Sequence, residues 1–321
     1  MSKKKVNKKS KAYIRRKKRR RSILTTLLLV VILLVGMGVI AYPTVSDWWN
    51  SFHQSRAIAS YSEAVDNASA EEIDAIFAAA EAYNQSLLEK ENPFAMTEEN
   101  LAEYNSLLDV SGTGVMGYIQ IPVIDVTLPI YHGTSESVLQ VAIGHLDWTA
   151  LPVGGESTHA VLSGHRGLPS ARLFTDLDKV QEGDYFTITS LNRTVTYEVD
   201  QIRIVEPQEV SDLKTVPGKD YCTLVTCTPY GINTHRMLVR GRRIDNIEEE
   251  RIIIVPPGAF RIPNYIAIPA IGVPLLFLFL LGLAIYSHFK RPRRSVDELE
   301  QMLRRETKRD EDEDDEEESE E

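Results

Sequence analysis

Cysteine is nearly missing from this chain, with two in 321 residues, so it is not a disulfide-stapled scaffold. No Cys/His cluster has metal-ligand spacing and no glycine-rich phosphate loop is present, so no metal, nucleotide or other cofactor is expected. No internal repeat is visible, and no long alternation of strand and helix patterns suggests a parallel sheet. Acidic residues are absent from the first 22 positions, which hold 13 Lys or Arg. Charge of either sign is then absent from the next twenty, Ile23 to Tyr42. Twenty uncharged apolar residues suit a spanning helix. A cleaved signal peptide has an apolar core of only about 7–15 residues and a small-residue cleavage site, and no such site precedes Pro43.

A second apolar stretch runs from about Tyr265 to Tyr286 and is followed by Lys290, Arg291, Arg293 and Arg294. Pro269 and Pro274 are tolerable within a span. Positive residues flank both stretches on the side away from the middle of the chain. The positive-inside rule then places both termini in the cytoplasm and roughly Pro43 to Ile262 outside, a two-pass topology. The formal net charge of −10 conceals a basic head and an acidic tail in which eleven of the last twelve residues are Asp or Glu. That tail reads as a solvated, unstructured end. Beside a spanning helix, the basic head reads as topology and attraction to anionic lipid, and nucleic acid is not expected as a partner.

The external part divides by composition. Ser51 to about Leu108 is rich in Ala, Glu, Leu and Gln, with Ile73, Ile76, Phe77 and Ala80 at helical spacing. Glu91-Asn92-Pro93-Phe94 interrupts it, and Thr97 is placed to cap a restart. After Gly112 come short β-branched runs bounded by Gly, Pro and Asp, such as 117–122, 126–130, 184–189 and 195–205. Many short strands at close spacing argue a closed or nearly closed β-structure. The expected divisions are a basic tail (1–22), a spanning helix (23–42), a helical segment (43–110) and a β domain (111–246). A linker (247–263), a second spanning helix (264–287) and the acidic tail (288–321) follow.

The two cysteines, Cys222 and Cys227, lie on one strand-like run. Five extended residues cover roughly 16 Å, whereas a disulfide needs Cα atoms within about 7 Å, so they should not pair. They also have opposite strand parity, so one faces a core and the other a surface; the pattern alone does not say which. Cys227 stands at the lip of the turn Thr228-Pro229-Tyr230-Gly231-Ile232-Asn233, which makes it the candidate nucleophile. Arg236 returns alongside it if the turn closes an antiparallel hairpin. Arg240 has the same parity and is the alternative cation. His165 follows the apolar run Ala160-Val161-Leu162 in the loop Gly164-His165-Arg166-Gly167-Leu168-Pro169. Alone, a histidine in such a loop is more often a surface residue than a catalyst. His235 is the rival, but on a strand it points away from the side that Arg236 takes. His132, His145 and His159 read as structural or surface residues.

Thr223-Leu224-Val225-Thr226-Cys227 with a following Arg resembles the active-site hairpin of sortases, the cysteine transpeptidases of Gram-positive cell surfaces. The continuation TCTPYGxNxHR and the run GHRGLPxAxLF are similar to the class C, pilus-building branch. The resemblance covers about Gly114 to Ile244. It implies a mostly β fold: a sortase-like closed β-barrel with short helices, here preceded by a helical N-terminal segment and flanked by two transmembrane helices. It also implies a membrane-anchored enzyme in which Cys227 attacks the Thr-Gly carbonyl of an LPxTG-like sorting signal and His165 serves as acid and base. Arg236 would stabilise the oxyanion, and a pilin lysine would accept the acyl group. The partners implied are pilin or surface-protein substrates and the lipid bilayer. Class C enzymes also carry an Asp-Pro-aromatic lid, to which Asn92-Pro93-Phe94 corresponds here. Asn in place of Asp implies a weaker, neutral bond to the catalytic arginine and a lid that opens more easily. The alternatives are a housekeeping sortase that anchors surface proteins to the cell wall, a thiol peptidase, and a non-catalytic barrel scaffold.

Overall fold

The computed structural model describes residues 3–89, 96–246 and 277. Asn92, Pro93 and Phe94, expected to form a lid, the second apolar stretch apart from Phe277, and the acidic tail lie outside the described residues. Every element below belongs to the compact unit Met1–Phe260.

Helix α1 (Lys3–Asn67) runs without interruption through Pro43. Its apolar part is long and apolar enough to cross a membrane, with a mean hydropathy of 2.5, and its large side chains are exposed, Ile40 by 80%. Ser69 and Glu72 start α2 (Ala70–Leu88) with a reciprocal capping box. The Glu72 N–H donates to Ser69 Oγ at 3.2 Å and the Ser69 N–H to Glu72 Oε2 at 2.9 Å. The expected apolar stripe is the buried one, with Ile73, Phe77 and Ala80 inside. Thr97 caps α3 (Glu98–Ser106), its Oγ1 accepting the Asn100 N–H at 3.2 Å.

Eight strands follow: β1 (Val115–Ile121), β2 (Val126–His132), β3 (Ile143–His145), β4 (Thr158–Ser163), β5 (Tyr185–Ser190), β6 (Arg193–Val205), β7 (Asp220–Thr228) and β8 (His235–Ile244). They close in the order β1-β2-β3-β4-β7-β8-β6-β5, which leaves no sheet edge unpaired. The absence of βα alternation in the sequence did not exclude parallel pairing: β2–β3 and β4–β7 are both parallel. The short helix α4 (Glu136–Leu139) lies in the first of these crossovers. Alternate residues fill the barrel, among them Ile119, Ile130, Leu162, Phe186, Ile188, Tyr197, Leu224 and Val239.

The helical segment is joined to the barrel by buried polar contacts. The Tyr61 hydroxyl donates to Met116 O at 3.0 Å and accepts the Leu191 N–H at 2.7 Å. Asn84 bonds both the N–H (2.7 Å) and the C=O (3.1 Å) of Leu151, as a strand neighbour would. Tyr104 lies 3.0 Å from Nδ1 of the fully buried His145, while His145 Nε2 lies 2.8 Å from Ala150 O. A carbonyl only accepts, so Nε2 carries the proton and Nδ1 accepts from the tyrosine.

Burial pushes the His145 pKa down to about 3 and lowers that of His159 as well. Both rings are therefore neutral in the folded state and gain a proton on unfolding below the ordinary histidine value. Their contribution is complete above about pH 6.5 and is lost as the pH falls towards 3. Denaturant unfolding of the chain in detergent should show stability decreasing over this range, by up to about 1.4 kcal/mol per pH unit from His145 alone. His145→Gln keeps a donor and an acceptor without a titrating ring and should flatten that slope; an unchanged slope would contradict this account.

Candidate active site

Strand β7 is hydrogen-bonded on both sides, parallel to β4 and antiparallel to β8. Its inward residues Cys222 and Leu224 belong to the barrel core. Its outward residue Val225 belongs to a second small core with Val161, Val205, Leu213 and Leu238, lined by Leu146, Trp148 and Val210. This settles the parity question: Cys222 is the inward thiol, fully buried, and Cys227 the outward one, half-buried. Both are free. Burial pushes the Cys222 thiol well above its ordinary pKa, which keeps it protonated and inert.

The β7–β8 register places Cys227 directly opposite Arg236, and Thr228 opposite His235. The turn between them is closed by the Ile232 and Asn233 N–H groups, both donating to Pro229 O, with Gly231 and Asn233 at positive φ. Arg236 Nη1 donates to Asn233 O at 3.2 Å and His235 O at 3.0 Å, which holds the guanidinium against the turn. Among the described residues it has no carboxylate partner. Arg240, the alternative cation, is held by a two-point ion pair to Asp200 (2.9 and 3.0 Å) and lies over the Tyr221 ring. Asp200 sits at the irregularity in β6 between Val199 and Gln201. Arg242 pairs with Glu198. His235 is exposed and contacts Thr234 Oγ1.

His165 is two residues beyond the end of β4, whose last paired residue, Ser163, lies opposite Val225. The same offset carries His165 to the level of Cys227. Gly164 is bonded to β7 at both groups, its N–H to Val225 O (3.0 Å) and its C=O from Thr226 Oγ1 (2.7 Å). A Cβ at Gly164 would lie 2.6 Å from Ile143 and 2.7 Å from Phe174, so glycine alone allows the loop this close. Gly167, at φ +77°, lies against the Tyr230 ring, where a Cβ would meet it at 2.9 Å. His165 is half-buried, and among the described residues its ring makes no hydrogen bond. His132 contacts two backbone carbonyls, those of Gly114 and Leu107, and His159 contacts Lys214 O and Thr223 Oγ1. Both are structural, as their sequence contexts suggested.

Arg166 is a residue that the sequence reading passed over. Only 9% of its side chain is exposed; it pairs with Asp178 at 2.5 Å, reaches Thr228 Oγ1 at 3.4 Å and lies over the Tyr230 ring. It thus ties the His165 loop to the residue after Cys227. The available signal was a charged residue between glycines in an otherwise apolar loop, but its partners are 12 and 62 residues away. Asp178→Ala would leave the guanidinium buried and unpaired. Denaturant unfolding should show a loss of about 1–2 kcal/mol, since Asp178 is partly exposed. Adding Arg166→Met should recover part of it, and a double variant no better than Asp178→Ala would refute this.

The sortase domain family profile matches residues 119–244. The chain is similar to the crystal structure of sortase C1 from Streptococcus agalactiae (54% identity, TM-score 0.59), covering 60% of this chain and all of that one. It is also similar to the structure of a lid mutant of sortase C1 from the same species (45% identity, TM-score 0.56), with the same coverage. Sortase A of Streptococcus agalactiae is 33% identical over 117 residues, 36% of this chain. The chain spans about half the length of the curated relatives it matches, 47% for that sortase A and 63% for sortase D of Bacillus subtilis. A closed eight-stranded barrel, a cysteine and an arginine in register across one hairpin, and near-complete coverage of the solved sortase C1 chains agree: this chain belongs to the sortase family, in its class C branch.

Proposed function

We propose that this sortase is a membrane-anchored cysteine transpeptidase that polymerises pilins. The observation that carries the reading is the facing pair Cys227 and Arg236, with the His165 loop hydrogen-bonded to the same strand. The Cys227 thiolate attacks the Thr-Gly carbonyl of an LPxTG-like signal. Arg236, which has no competing carboxylate among the described residues, donates hydrogen bonds to the oxygen as it becomes negative. The C–N bond breaks as the His165 imidazolium gives its proton to the leaving glycine amine, and a thioester to Cys227 remains. Neutral His165 then takes a proton from an incoming lysine amine. That amine attacks the thioester, the thiolate leaves, and an isopeptide bond has formed.

The exposed apolar part of α1 serves as the anchor, and the second apolar stretch as a return span. Asn92-Pro93-Phe94 forms the lid over Cys227. Its support is the matching sequence position, together with the lid named for the related sortase C1.

Mass spectrometry of the full chain in detergent, incubated with an LPxTG-type peptide, should detect a thioester on Cys227 that an added amine converts to an amide. Cys227→Ala should give no adduct. An adduct resolved by water alone would favour a peptidase, and capture retained in Cys227→Ala would remove it as the nucleophile. Phe94→Ala should speed modification of Cys227 by a bulky thiol reagent; an unchanged rate would count against the lid.

A further inference from the structure

The loop that carries His165 is gripped at its far end by the helix that bears the apolar segment. Asn50 Nδ2 donates to Ser170 O at 2.8 Å, and the Arg172 N–H donates to Asp47 Oδ1 at 2.8 Å. Asp47 and Asn50 are three apart on α1 and so share a face. They present one acceptor and one donor to backbone groups on either side of Ala171, which is itself buried. Asp47 is five residues past the apolar run that ends at Tyr42, about 7.5 Å further along the helix axis.

This grip passes to His165 through a short series of bonds. The Thr175 N–H donates to Arg172 O at 2.7 Å, and Thr175 Oγ1 accepts the Gly167 N–H at 3.1 Å. The Phe174 N–H donates to the carbonyl of His165 itself at 3.1 Å. The two peptide groups that follow His165, on either side of Arg166, are thus held by residues 174 and 175. Those residues take their place from Arg172, and the Arg172 amide is bonded to Asp47. Gly164 and Arg166 fix the near end of the loop to β7, and α1 braces its far end at residues 170–172.

We propose that Asp47 and Asn50 are positioning residues for His165, so that the catalytic loop is braced on the same helix that leaves the membrane. The inference rests on the assignment of His165 as acid and base. Removing both side chains frees residues 170–172, lets the imidazole drift from Cys227 and weakens the chemical step more than peptide binding. A misplacement of about 1 Å in such a site costs on the order of 10- to 100-fold in rate.

The test uses the full chain in detergent micelles as wild type, Asp47→Ala/Asn50→Ala, Asp47→Asn and His165→Ala. Iodoacetamide alkylation against pH reports the coupling of the Cys227 thiolate to His165, because Cys222 is buried. Asp47→Ala/Asn50→Ala should move this profile towards that of His165→Ala and speed amide hydrogen exchange across residues 165–174. With an LPxTG-type peptide it should lower kcat about tenfold, with KM within about twofold. Asp47→Asn keeps the acceptor oxygen and should restore the wild-type profile. An alkylation profile and exchange rates like wild type in Asp47→Ala/Asn50→Ala would overturn the proposal, as would a profile shift in Asp47→Asn equal to that of the alanine variant. If wild type does not turn over the peptide, the transpeptidase reading fails while the alkylation and exchange arms still decide the positioning role.

Discussion

The site depends on one constraint: strand β7 is paired on both sides, and by neighbours of opposite direction. Parallel pairing with β4 makes both strands end at the same rim, so the loop leaving β4 starts beside the last residues of β7. Antiparallel pairing with β8 reverses the chain at that rim and returns Arg236 to face Cys227. The cysteine and the arginine share one hairpin, and the histidine comes from a loop 62 residues before the cysteine. Hydrogen-bond register brings all three to the same rim of the barrel.

Strand parity then divides the chemistry. Inward residues of β7 enter the main core, where Cys222 is a small apolar filler with its pKa pushed up. Outward residues are covered by the loops before β4 and β7, and that second core stops short of Cys227. The outward thiol proposed as the nucleophile and an inert inward one thus coexist five residues apart, on opposite faces of one strand.

Charge on the outer face is arranged by the same economy. Arg166, Arg193, Arg203, Arg240 and Arg242 are each matched by a carboxylate. Arg236 is held by turn carbonyls instead, which orient a guanidinium without neutralising it. The buried histidines are neutral hydrogen-bond partners: His159 lies on this outer face against Lys214 O and Thr223 Oγ1, and His145 joins α3 to the barrel through Tyr104.

Much was legible in the sequence because the signals were local. Apolar spacing marked the buried face of α2, Thr97 marked the start of α3, and β-branched runs marked four of the eight strands. The hairpin at Cys227 could be read from a turn between two runs, and the opposite parity of the cysteines from counting alone. Which face was the core could not be read, because β7 has covered residues on both sides and its burial does not alternate cleanly. The parallel β4–β7 pairing, the Asp200 partner of Arg240, the Arg166 contact to Thr228 and the Asp47 contact to Arg172 all join residues from 40 to 125 positions apart. Periodicity and capping act over a few residues and so were determined by the sequence itself. Those distant pairings exist only once the barrel has closed, and the tertiary structure alone decided them.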